Sequence, residues 1–290
     1  MNWQVFKTRA LTAIVFVAVM LAGLLWNDWS FFVLFSVIHW GCWIEYQQLV
    51  KRIDPSYVQI SSFHEYGVML AGWSLMLYGA GGSYHIGNIS LHAIGLITGL
   101  VFAFALPIIE ILFSKQFNLK HISYSAMGLL YISLSWALMI SIRSMDGLWI
   151  SGKDSYFEMG RTVPLVIIFS IWINDTMAYI TGSFIGRTPF SKVSPKKTIE
   201  GTIGGAVLCV AVMGMLAYYM RLPVAHVCII AGIAAILGTA GDLLESKLKR
   251  MANVKDSGRI MPGHGGFLDR FDSLLLATPV VWLYVMTTMK

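Results

Sequence analysis

Six of the chain's 21 basic residues and five of its 15 carboxylates crowd into one stretch, Gly241–Asp272. The carboxylates are Asp242, Glu245, Asp256, Asp269 and Asp272. Lys247, Lys249, Arg250, Lys255, Arg259 and Arg270 lie among them. Asp242, Glu245, Ser246, Lys249 and Arg250 fall at i, i+3, i+4, i+7 and i+8, which makes one polar stripe on a helix. Asp269 and Asp272 share a face in the same way. Between that stripe and this pair, Pro262-Gly263-His264-Gly265-Gly266 is too rich in Gly and Pro to stay helical. It should fold back and carry the second Asp pair toward the first. Carboxylates gathered like this repel one another unless a cation sits among them. Oxygen ligands favour Mg2+, which takes one or two carboxylates plus substrate phosphates. The neighbouring Lys and Arg would hold the phosphates.

Two further stretches carry chemistry. Asn174-Asp175-Thr176 places a carboxylate inside an apolar run, where a charge costs at least about 2.5 kcal/mol and is functional by default. Tyr179, Gly182 and Gly186 follow on its face, so Asp175 should line a polar cavity. Gly182 and Gly186 by themselves form a helix-packing motif. Next, Arg187–Gly201 ends in Ser194-Pro195-Lys196-Lys197-Thr198-Ile199-Glu200-Gly201. Thr198 is a candidate N-cap. The helix it opens would present free N–H groups to an anion. Gly201, Gly204 and Gly205 allow a backbone or ligand to come close. Glu45 and Glu110 read as carboxylates reaching an interface. His39, His64, His85, His92, His121 and His226 share no spacing and read as packing or interfacial groups. There is no P-loop pattern, and neither a Ser-His-Asp nor a zinc arrangement stands out.

These stretches must be positioned by membrane helices. The chain is 57% apolar and 12% charged, with mean hydropathy +0.68, whereas soluble domains carry about 25% charged residues. A net charge of +6 favours anionic headgroups over nucleic acid. Apolar runs near 10–26, 30–48, 66–80, 90–113, 123–142, 163–185, 201–219, 224–245 and 272–289 predict about nine transmembrane helices. The expected fold class is an all-α polytopic membrane protein, with about five helices in 1–160 and about four catalytic ones in 161–290. With the N-terminus inside, 16 basic residues face the cytoplasm and 5 the other side, as the positive-inside rule requires. Cys42, Cys209 and Cys228 sit singly in apolar runs and read as small core residues.

The residues Ser246-x-Leu248-Lys249-Arg250-x4-Lys255-Asp256-x-Gly258 and Pro262-x-His264-Gly265-Gly266-x-x-Asp269-Arg270-x-Asp272 resemble the signature of the phosphatidate cytidylyltransferases. Met261 stands where that pattern usually has Leu, Ile or Phe. Ser194–Gly201 and Asp175-Thr-x-Ala-Tyr resemble two further segments of the family. The likeness is strong over about 170–275. It implies that CTP and phosphatidate give CDP-diacylglycerol and pyrophosphate, with Mg2+ and room for a second cation. It also implies a homodimer in a bacterial cytoplasmic membrane, with the site facing the cytoplasm. Asp242 and Asp269 would bind metal, with Asp272 and Glu245 as weaker candidates and Ser246 completing the shell. Lys196, Lys197, Lys249, Arg250 and Lys255 would hold phosphates. Arg270 would join them or pair with Asp256. Ser194, Thr198, Gly201, Gly265 and Gly266 would line the substrate. His264 would shape a phosphate-contacting turn, with proton transfer as its lesser role. Asp175 would orient a basic residue or ligand. A CTP-dependent lipid kinase and an anion transporter are the alternatives. Detection of pyrophosphate excludes the first, and the charge cluster is unexplained by the second.

Overall fold

The apolar runs fold as helices because a backbone in lipid must satisfy its own hydrogen bonds. The computed structural model describes residues 3–82, 84–113, 118–150, 156–191, 193–260 and 265–289. In chain order these give α1 (Trp3–Leu25), α2 (Asp28–Ile53), a short 3-10 turn (Pro55–Gln59) and α3 (Ser62–Gly79). After a two-residue hairpin, β1 (His85–Ile86) with β2 (Ile89–Ser90), comes α4 (Leu91–Phe113). Next, α5 (Leu119–Gly128) runs through a π-turn (Leu129–Ser133) into α6 (Leu134–Arg143). A second hairpin, β3 (Leu148–Ile150) with β4 (Tyr156–Glu158), leads to α7 (Met159–Ile185), α8 (Ile199–Tyr219), α9 (Val224–Met251) and α10 (Leu268–Thr288).

Helix ends follow local chemistry. Asn27 opens α2 with a reciprocal capping box to Ser30, and Thr198 opens α8 by accepting from Gly201 N at 3.1 Å. Arg221 and Asn253 both have φ of 56°. Each ends its helix in a left-handed cap, with Leu222 N on Ala217 O at 2.8 Å and Val254 N on Lys249 O at 2.9 Å. Those are the bonds of the Schellman motif. Pro223 follows two positions after Arg221, which suits that motif.

Among the described residues, six helices are long and apolar enough to cross a membrane: Leu91–Leu112, Leu119–Arg143, α7, α8, α9 and α10. The protein is an all-α membrane protein, and the expectation of nine spans is not confirmed. Among the described residues α1 contributes a shorter apolar stretch, Leu11–Leu25, and α2 buries His39, Glu45 and Gln47.

The chain divides into two compact units, each made of two pieces. One holds Met1–Ser144 and Leu248–Arg270, the other Met145–Lys247 and Phe271–Lys290. In the first unit the core is aromatic: Phe31, Phe35, Trp43 and Trp136 are fully buried. The π-turn sets Ser133 between Trp43, which donates to its Oγ at 2.8 Å, and His39 at 3.0 Å. In the second unit α7 and α8 pack backbone to backbone. Side chains added at Gly201 and Gly205 would meet Ala178 atoms at 2.9 and 2.6 Å. These glycines thus serve helix approach.

Candidate active site: two carboxylates hold a cationic loop

In the first unit the loop after α9 is fixed by Asp269 and Glu45. Asp269 stands in the first turn of α10, where the helix dipole favours a negative charge. Its Oδ1 accepts from Lys249 Nζ at 2.6 Å. Its Oδ2 accepts from Gly266 N at 2.8 Å, Ser257 N at 2.9 Å and Ser257 Oγ at 3.0 Å. Both oxygens are thus engaged within the chain.

Glu45 comes from α2, more than two hundred residues earlier in sequence. It is 2% exposed. Its carboxylate accepts from Phe267 N and Leu268 N, each at 2.9 Å, and from Ser257 Oγ at 2.7 Å. It therefore caps the N-terminus of α10 from outside, where orphan N–H groups need an acceptor. Ser257 bridges the two carboxylates. Side chains at Gly258 or Gly266 would overlap Glu45. Gly265 has φ of +81°, and a side chain there would overlap Asp269. The glycines of the Gly265-Gly266 pair are thus required by two acids, one of which no local spacing reveals.

The fixed loop lines a polar pocket of about 640 Å3 with α2. Its walls carry Gln48, Arg52, Lys255, Asp256, Ser257 and Arg259. Three cations face one carboxylate, so the pocket suits an anion with several charges. Guanidinium forks match phosphate oxygens two at a time. Lys255, Asp256 and Arg259 belong to the charge cluster visible in the sequence, whereas Gln48 and Arg52 come from α2 and have no local signature that ties them to it. Arg250 is exposed and donates to Val254 O at 2.9 Å, just past the end of α9. Met261–His264, including the candidate His264, lies outside the described residues.

The second unit holds the other candidates. Lys197 pairs with Asp242 of α9 at 2.5 Å. The segment between α7 and α8 is tied down by Glu200, which accepts from Arg187 N at 3.1 Å and Thr188 Oγ1 at 2.8 Å. Thr198 bridges back to Pro189. Ser194 N closes the intervening turn by donating to Ser191 Oγ at 3.1 Å, and Lys196 stands exposed on it. Next to Asp242, a side chain at Gly241 would overlap the Asp272 carbonyl. The α9 and α10 backbones therefore meet where Asp242 and Asp272 sit. Glu245, one turn after Asp242, is fully buried, and Ser246 beside it is half-buried. Asp175 is on an exposed part of α7. In the first unit, Arg270 is exposed at the start of α10.

Among the described residues no three His, Cys, Asp or Glu side chains form a group that could hold a metal ion. That does not fit a closed protein cage of the zinc type. Asp242 and Asp272, where the α9 and α10 backbones meet, are hard oxygen donors of the kind that Mg2+ takes beside water and substrate phosphates.

Comparisons agree with the motifs. The sequence model of the Cytidylyltransferase family matches residues 7–288. A protein of Staphylococcus haemolyticus named "Phosphatidate cytidylyltransferase" is 30% identical over 95% of this chain and 97% of its own length. One of the same name from Synechocystis is 37% identical over 59% of this chain and 64% of its own. "Phosphatidate cytidylyltransferase 4, chloroplastic" of Arabidopsis thaliana is 32% identical over 71% of this chain and 55% of its own. The chain thus spans less than two thirds of the length of the last two. The match over nearly all of the sequence, with the cationic loop and its glycines inside it, means that the chain belongs to the cytidylyltransferase family.

Proposed function

We propose that this protein transfers CMP from CTP to phosphatidate, giving CDP-diacylglycerol and pyrophosphate in phospholipid biosynthesis. The observation that carries the reading is the pocket of Arg52, Lys255 and Arg259, a polyanion site on a chain of membrane-spanning helices. The names of relatives aligned with this chain support the choice of substrates. A two-tailed lipid stays in the bilayer at about 0.8 kcal/mol per buried CH2, so its phosphate must be met at the interface. CTP is a cytosolic solute, and the excess of basic residues supports a site on the cytoplasmic side of a bacterial inner membrane. A homodimer is part of the same proposal.

An oxygen of the phosphatidate phosphate attacks the α-phosphorus of CTP. The new P–O bond forms as the α–β anhydride bond breaks, and pyrophosphate leaves with the electron pair. The nucleophile is already ionised, so no strong base is needed. The barrier is the approach of one anion to another, about 4 kcal/mol for each unit pair near a protein surface at ~4 Å. Arg52, Lys255 and Arg259 offset that repulsion by holding phosphate oxygens. Bound Mg2+ would supply further charge cancellation and in-line positioning. Asp242 or Asp269 would hold it, with Asp272 and Glu245 as weaker candidates, and Asp269 also orders the loop.

The test is purified protein in mixed micelles with phosphatidate, Mg2+ and CTP labelled at either the α- or the γ-phosphate. The α-label enters the lipid phase and the γ-label leaves in pyrophosphate. Transfer of the γ-label to lipid would make the protein a lipid kinase and overturn the proposal.

A further inference from the structure

The first unit contains a second cavity, of about 500 Å3, between α3, α4 and α5. Its volume is that of a small-ligand site. Leu75, Leu96, Leu100 and Leu106 line its length. Its one polar end is His64, Glu110 and Ser125, all buried. His64 Nδ1 lies 3.0 Å from Glu110 Oε2, and its Nε2 lies 2.8 Å from Ser125 Oγ. The other end closes beside Tyr78, where Gly95 brings α4 against the α3 backbone.

The distance along α3 from His64 to Tyr78 is about 21 Å at ~1.5 Å per residue. That exceeds the roughly 15 Å hydrocarbon depth of one leaflet. The cavity opens sideways, since Leu96 and Leu100 line it and are 46% and 52% exposed. Helix α4 is the barest of the six candidate spans, with 11% of its apolar window buried. Ile97, Val101 and Phe104 on it point outward. In a bilayer the opening therefore faces acyl chains.

We propose that this cavity binds one acyl chain of a bilayer lipid, its ester end at His64 and Ser125 and its methyl end toward Gly95 and Tyr78. The Glu110 carboxylate at the polar end repels a free fatty-acid carboxylate, and a neutral ester oxygen there accepts from the Ser125 hydroxyl or a His64 N–H. The trio recognises its ligand without attacking it. Ser125 lies inside α5, where backbone N–H groups are consumed by the helix ladder and none is aimed at an oxyanion. This site goes beyond the cytidylyl-transfer reading and does not depend on it.

The experiment uses the full chain in nanodiscs doped with a phosphatidylcholine carrying a diazirine in its acyl chain, without CTP. Photoadducts are mapped by mass spectrometry. Ala71 and Leu106, which line the cavity, are labelled, as is Val101 on the outer face of α4. In Ala103→Phe, labelling of Ala71 and Leu106 falls about tenfold, a loss of roughly 1.4 kcal/mol in occupancy, while Val101 is unchanged. Labelling at Val101 alone, or no response to Ala103→Phe, overturns the proposal. So does capture of a second copy of the chain at Leu106. If Ala103→Phe fails to fold, the unaltered chain is melted with lyso-lipids of increasing chain length. Stabilisation that rises with chain length and then levels off supports the site, and a flat response overturns it.

Discussion

Glu45 shows how a single residue can organise a site from far away. Its carboxylate receives two backbone N–H groups and a hydroxyl of the loop and of α10. Hydrogen bonds to a charged group contribute about 1.5–3 kcal/mol each when broken. Glu45→Gln keeps the shape and removes the charge. It should lower the melting temperature in detergent by about 4–10 °C, at a few degrees per kcal/mol, and a shift under about 1 °C would exclude the capping role. Lys255 and Arg52 act differently, since they face a pocket. Lys255→Ala and Arg52→Ala should each raise the KM for CTP about tenfold with little change in kcat, the sign of lost ground-state binding. An unchanged KM in both would remove the pocket from CTP binding. The residues legible beforehand were those with local signatures. Thr198 was visible as an N-cap because its partner Gly201 is three positions away. Glu45 was not, because Ser257, Phe267 and Leu268 meet it only through folding. The rule that singled out Asp175, a carboxylate in an apolar run, applies equally to Glu45 between Ile44 and Tyr46, and it was the available signal. His64 and Glu110, read separately as bland, proved to be partners for the same reason.

At the scale of elements, helix approach is governed by where side chains are absent. Gly205 and Gly201 seat α8 against α7, and Gly241 seats α10 against α9. Gly205→Leu should cost about 1–3 kcal/mol through overpacking and lower the yield of folded protein. Gly232→Ala is the contrast, because its added carbon would find only Val210, at 3.8 Å. It should be neutral or stabilising by about 0.5–1 kcal/mol, as Ala is favoured over Gly within helices. Equal melting temperatures for the two variants would refute this account of the α7–α8 pair. Periodicity and apolar length announced the helices correctly. They could not tell which glycines meet a backbone and which meet open space, since that depends on the partner helix.

At the scale of the whole molecule, the excess of basic residues in one set of loops predicts orientation. Cysteines placed at Ser191 and Ile260 should react with an impermeant maleimide only from the cytoplasmic side of vesicles. One at Met220 should react only from the other. Reaction of Ser191→Cys from outside would reverse the topology and strand the site away from CTP. The interleaved units were not legible in the sequence. The fold returns Leu248–Arg270 to the company of the first helices. That return is what brings Arg52 into the pocket with Lys255 and Arg259.

The central claim is that CTP is split between its α- and β-phosphates and that the nucleotide half ends on a lipid. The most direct measurement follows the unlabelled products in proteoliposomes, with lipid mass and released pyrophosphate quantified together. The account predicts one CDP-diacylglycerol formed for each pyrophosphate, and neither product without phosphatidate. Pyrophosphate without a cytidine-bearing lipid, or a phosphorylated lipid with CDP, would contradict it.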